Sequence, residues 1–165
     1  MINKGKGIVV NTSPWISLSV CGQICLLERL YRDVYVPMSV RDEIVAGGRR
    51  GVGVHELEGS PWIKIGKVSD IEKIKLLHEL DQGEAEVIIL AKEKEINQVL
   101  IDERVARMQA KVLGLNVIGT LGLLLKAKKE GLLSSVKPSI DKILESGIWI
   151  KEDIAMGILK DAGEE

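Results

Sequence analysis

Five short stretches of this 165-residue chain carry oxygen-bearing side chains where chemistry could be done. Asn11-Thr12-Ser13 follows a β-branched run, Glu43 lies in a helical segment, and Glu84 follows Gly83 at a helix start. Asp102-Glu103 ends an apolar run, and Gly119-Thr120 follows another. The set holds carboxylates, an amide and hydroxyls, with no histidine or cysteine. Such donors suit Mg²⁺ or Mn²⁺, which prefer carboxylate, amide oxygen and water. A divalent ion held by carboxylates can activate water and neutralise charge on a phosphoryl group.

Each residue also has a plain structural reading. Glu84 and Glu86 fit first-turn acids stabilised by the helix dipole. Glu43 fits a solvated helix acid, Asp102 a cap for the helix opening at Arg104, and Asn11 an Asx-turn. It is their grouping at the mouth of one sheet that favours a site. Arg49, Arg50, Arg104 and Arg107 are either solvated surface or contacts to substrate phosphate. Arg104 and Arg107 lie one turn apart beside Asp102.

The elements that must position these residues alternate. Strands are expected at 7–10, 33–36, 62–65, 99–101 and 116–118, each short and rich in β-branched or apolar residues. Helices are expected at 15–20, 24–30, 40–46, 71–80, 84–94, 104–113, 121–129, 139–145 and 152–160. Thr12 or Ser13 is expected to cap the first helix, with Pro14 in its first turn. Residues 47–53 read as a flexible glycine-rich loop. The 71–80 segment shows an apolar stripe at Ile71, Ile74, Leu77 and Leu80. Strands alternating with helices imply an α/β fold with a parallel sheet covered on both faces. In such sheets reactive groups gather beyond the carboxyl ends of the strands, which is where the five stretches fall.

Composition narrows the function classes. The length fits one domain over residues 1–165, with a core at about 7–131 and C-terminal helices at about 132–165. A net charge of -1 supplies no global attraction for nucleic acid, so any grip must be a local basic patch. Phe is absent and aromatics make up 3%, which argues against a broad base-stacking surface. Cys21 and Cys25 are four apart in an apolar stretch and read as two small buried hydrophobes. His55 and His78 have no zinc-site spacing. The first residues lead straight into a short apolar run without a signal-peptide pattern, and no run approaches the ~20 apolar residues of a membrane helix. A cytoplasmic protein is expected. Leu123-Leu124-Leu125 puts apolar residues all round one helix, which is therefore central or at a homodimer interface.

The segment Ile8-Val-Val-Asn-Thr-Ser-Pro14 resembles the opening strand of PIN-domain nucleases. Leu80-Asp-Gln-Gly-Glu-Ala-Glu86, Leu100-Ile-Asp-Glu-Arg-Val-Ala-Arg107 and Gly119-Thr-Leu-Gly-Leu-Leu-Leu125 resemble one subgroup, described as nucleic-acid-binding, VapC-like toxins. The resemblance implies a three-layer α/β/α fold with a five-stranded parallel sheet. It also implies a four-acid site for Mg²⁺ or Mn²⁺, single-stranded RNA as substrate, and a small antitoxin protein as partner. Asn11 stands where the first acid belongs. Glu43, Glu84 and Asp102 match the second, third and fourth, with Glu103 an auxiliary ligand and Thr12, Ser13 and Thr120 supporting. The implied activity is that of a metal-dependent endoribonuclease, the toxin of a toxin–antitoxin pair. Asn11 offers one neutral oxygen where Asp offers a charged pair. That leaves a second reading, a non-catalytic module binding RNA or antitoxin.

Overall fold

Ile8, Val9 and Val10 are fully buried, as are Val99 and Leu100. Strands apolar on both faces are what a parallel sheet with two helical layers requires. The computed structural model describes residues 4–47 and 51–165, and these strands form the middle of its sheet. The strands are β1 (Gly5–Val10), β2 (Tyr31–Pro37), β3 (Ile63–Gly66), β4 (Gln98–Leu100) and β5 (Asn116–Ile118). All pair in parallel, in the order β3-β2-β1-β4-β5. The fold is the expected three-layer α/β architecture with a five-stranded parallel sheet.

Between β1 and β2 lie α1 (Thr12–Val20) and α2 (Cys25–Leu30), and α3 (Met38–Gly47) and the short α4 (Val54–Glu58) precede β3. The crossover from β3 to β4 carries α5 (Ile71–Leu76) and α6 (Gln82–Glu93). Helix α7 (Arg104–Val112) links β4 to β5, followed by α8 (Thr120–Lys129), α9 (Lys137–Glu145) and α10 (Glu152–Asp161). A crossover helix returns antiparallel to its strands, so α6 begins at the carboxyl edge of the sheet. It packs on β1 and β2, and Val87 through Ala91 are all buried beneath its neighbours.

Several local expectations need correcting. Residues 54–58, where no element was expected, form α4, with Glu56 reaching back to the Gly53 N–H at 2.9 Å. The expected loop at 47–53 includes Arg49 and Arg50, which lie outside the described residues. The expected 71–80 helix stops at Leu76, and Ile71 is exposed while Ile74, Leu77 and Leu80 pack on the core. Cys21 is buried, and burial pushes its thiol up to about 11, but Cys25 is exposed, so only one of the pair is a core residue. Leu123 and Leu124 are fully buried and Leu125 partly so. Helix α8 is thus central, and its leucines no longer argue for a dimer.

The C-terminus is clasped onto the body. The Glu164 carboxylate accepts from Ser135 Oγ at 2.6 Å, from the Val136 N–H at 2.8 Å and the Lys137 N–H at 2.9 Å, and pairs with Lys128 Nζ at 2.8 Å. Burial works against its charge, but these donors outweigh it and pull its pKa down to about 2. The clasp ties the end of α10 to the start of α9. Among the described residues no helix is long and apolar enough to cross a membrane.

Candidate functional site

Strand β1 pairs with β4, and the Asn11 N–H donates to the Leu100 carbonyl at 3.1 Å. The connections leaving β1 and β4 run to opposite sides of the sheet, so the crevice between their carboxyl ends is the topological switch point. Asn11 and Asp102 emerge on either side of it. Asn11 occupies the N-cap position of α1 in extended conformation, yet its side chain makes no capping bond. It is 5% exposed. The expected caps, Thr12 and Ser13, both sit inside the helix, and the Thr12 hydroxyl donates to Glu43 Oε2 at 3.2 Å.

Glu43 projects from α3 toward the first turn of α6. A Cβ on Gly83 would collide with Glu43 Oε1 as it stands, so glycine at this helical position lets the carboxylate come this close. Glu84, the next residue, is 9% exposed. It forms a capping box with Asp81: its N–H donates to Asp81 Oδ1 at 2.8 Å, and its Oε1 accepts from the Asp81 N–H at 3.1 Å. This arrangement satisfies two of the helix's unpaired donors. The first-turn reading of Glu84 therefore holds, and it coexists with a place among the acids.

The electrostatics tie these residues together. Loss of water raises the Glu43 carboxyl above 4.5, the Asp81 and Glu86 charges raise it further, and the Thr12 hydroxyl opposes them. Burial likewise raises Glu84. The Asp81 N–H pulls the other way, while the carboxylates of Asp81, Glu103 and Glu43 add to the rise. Like charges held close disfavour ionisation of one another. Asp81 is the member that motif reasoning passed over, although the Asp-x-x-Glu spacing of a capping box marked it.

Asp102 is held differently. Its Oδ1 accepts from the Thr120 N–H at 2.7 Å and its Oδ2 from the Thr120 hydroxyl at 2.6 Å. It caps α8, across the strand pair, and not α7 as the local reading would have it. The α7 cap is Glu103, which accepts from the Ala106 N–H at 2.9 Å. Arg107 Nη1 donates to the Ile101 carbonyl at 2.9 Å, bracing the end of β4, whereas Arg104 is exposed. Gly119 gives both groups room. A Cβ there would lie 2.8 Å from Arg107 Nη1 and 3.0 Å from Asp102 Oδ1. Ser13 lines the cavity beside α1 together with Thr12 and Glu43.

Among the described residues, no three acidic, histidine or cysteine side chains already converge as a ready metal cage. The donor chemistry nonetheless fits a hard divalent ion. All the donors are oxygens, and Glu43 and Glu84 are raised by carboxylates that a cation would offset. A family model described as a PIN domain matches residues 7–164. No curated protein and no solved structure matches the chain.

Proposed function

The chain belongs to the PIN-domain family, and from that premise we propose that it is a metal-dependent endoribonuclease acting on single-stranded RNA. PIN domains are generally nucleases, and a nucleic-acid substrate follows from that membership. The observation that carries the finer reading is that Glu43 stands against the first turn of α6 beside Glu84, with desolvation and the Asp81 charge raising both carboxyls, at the edge where Asn11 and Asp102 also emerge. Carboxylates crowded by like charges and partly stripped of water cost stability, and such groups gather where a cation or a reaction uses them.

On this reading Glu43, Glu84, Asp102 and Asn11 hold Mg²⁺ or Mn²⁺, with Glu103 auxiliary, and the ion supplies a water nucleophile and charge neutralisation at the phosphodiester. Thr12 orients Glu43, and Thr120 orients Asp102. The first turn of α1 has no acidic residue and no side-chain cap, so its N–H groups are open to a phosphate oxygen. Arg104 is placed to meet the backbone further along. Asp102→Asn tests the reading. Asparagine keeps an acceptor for the Thr120 N–H, so folding is retained while cleavage of single-stranded RNA with Mn²⁺ is lost. A wild-type protein that cuts no RNA with either ion would leave the non-catalytic binding module in its place.

The subgroup resemblance supports a toxin role with a small antitoxin as partner. The homodimer expected from the 121–129 helix has its support instead in α7, whose Val105, Met108 and Val112 form an exposed apolar stripe. Sedimentation as a monomer at micromolar concentration would remove that part of the reading.

A further inference from the structure

A cavity of about 600 Å³ opens beside the first turn of α1. Thr12, Ser13 and Glu43 form one side, and Ile16, Ala46 and Ile148 give it an apolar wall. Ile148 arrives from far along the chain, in the connector between α9 and α10. There burial alternates. Ile148 and Ile150 pack on the core, while Trp149 between them is 81% exposed. Of the five aromatic residues, Trp15 and Tyr31 are buried and Tyr35 and Trp62 half-buried, so Trp149 is the one that faces solvent. Consecutive Cα atoms are about 3.8 Å apart, so Trp149 is the chain neighbour of the cavity wall, with its indole turned outward from the packed isoleucines.

This ring is on a firm mount. Its flanking isoleucines are packed, and the Glu164 clasp fixes the helix that follows. An indole left in water forgoes the burial that would have stabilised the fold. The cavity shares Thr12 and Glu43 with the acid site, so whatever fills it lies within reach of the proposed chemistry. Its size is that of a small-ligand pocket, and its aliphatic wall suits a flat heterocycle better than a charged group. Exposed Lys151 lies two residues after Trp149 and adds a cation for a phosphate.

We propose that this cavity and Trp149 form a nucleobase subsite for a single-stranded substrate. One base lies against Ile16, Ala46 and Ile148, and the next stacks on the Trp149 indole. The inference rests on the nuclease reading for its choice of ligand. It assigns substrate grip to the C-terminal connector, outside the acidic residues.

The test uses the full chain and a ten-nucleotide oligouridylate in EDTA, so that binding is read without cleavage. Tryptophan emission of the wild type is quenched on binding. Trp149→Ala loses most of that quenching and binds roughly 5- to 150-fold more weakly, the range for loss of one base–aromatic stack. Trp149→Phe recovers much of the affinity. Ala46→Leu, an exposed helical position that tolerates leucine, fills the cavity and weakens binding as well. An abasic oligomer binds wild type and Trp149→Ala alike. Equal oligouridylate affinities for wild type and Trp149→Ala overturn the proposal. So does a change from dimer to monomer in Trp149→Ala on sedimentation, which would assign the indole to a protein interface. The two readings fail separately. Trp149-dependent binding without any RNA cleavage in Mn²⁺ would sink the enzyme and keep the subsite, and cleavage with equal affinities would do the reverse.

Discussion

Replacing Gly83 with alanine adds one methyl group at the second position of α6, where Glu43 Oε1 already stands. Two effects on stability oppose each other. Alanine is favoured over glycine in a helix by up to about 1 kcal/mol. Against this, the Glu43 carboxylate must withdraw by about 1 Å to reach ordinary contact, and its bond from the Thr12 hydroxyl weakens. That bond is 3.2 Å long and exposed, so its loss costs about 0.5–1 kcal/mol. Glu43 is the far end of a flexible side chain, so the backbone need not move. The net change is within about ±1 kcal/mol, or up to about 4 °C in melting temperature for a chain of this size. The effect on cleavage is much larger if Glu43 belongs to the machinery, because a 1 Å misplacement of a catalytic group can cost about 100-fold. Thermal melting and an RNA cleavage assay with Mn²⁺ are run on the same preparation. A near-normal melt with kcat/KM down roughly 100-fold is the expected pair. An unchanged melt with unchanged cleavage would show that the placement of Glu43 against Gly83 is irrelevant to activity, and the assignment of Glu43 would fall.

Two further outcomes concern charge. Asn11→Asp puts a carboxylate at a buried position beside the Thr12–Glu43 pair, so the metal-free protein melts lower while Mn²⁺ binds roughly tenfold tighter or more. Equal Mn²⁺ affinities by calorimetry would remove Asn11 from the ligand set. Glu84 is raised above 4.5 in the folded state, so the folded protein holds that proton more tightly than the unfolded chain. Its contribution to stability is present below that value and lost as pH rises through the raised one. Glutamine stays neutral and keeps an acceptor for the Asp81 N–H. The melting advantage of Glu84→Gln over wild type therefore grows from about pH 4.5 toward neutrality in metal-free buffer. Parallel melting curves across that range would show that Glu84 is not strained by its neighbours.

Much of the fold was legible in the chain because its signals are local. β-branched runs and helical stretches alternate, and the five strands were placed to within two residues of where they form. Strands alternating with helices implied a parallel sheet covered on both faces, and that made the carboxyl edge the place to look. Motif order pointed to Glu43, Glu84 and Asp102 without showing what each would touch.

What tertiary structure decided is which residues meet, since no local pattern encodes strand order. Pairing of β1 with β4 puts Asn11 and Asp102 on either side of one crevice, although ninety-odd residues separate them. Asp102 could serve the nearest helix, but β4 and β5 lie side by side, so it binds Thr120 and leaves Glu103 to cap α7. Glu43 approaches α6 this closely because a glycine stands where a Cβ would push its carboxylate back. The same logic governs which apolar residues are buried. Periodicity reports that α8 is greasy all round, but only packing buries Leu123 and Leu124 while leaving Cys25 and Trp149 in water. Burial is a property of what lies opposite a side chain, and what lies opposite is set by contacts between segments far apart in sequence.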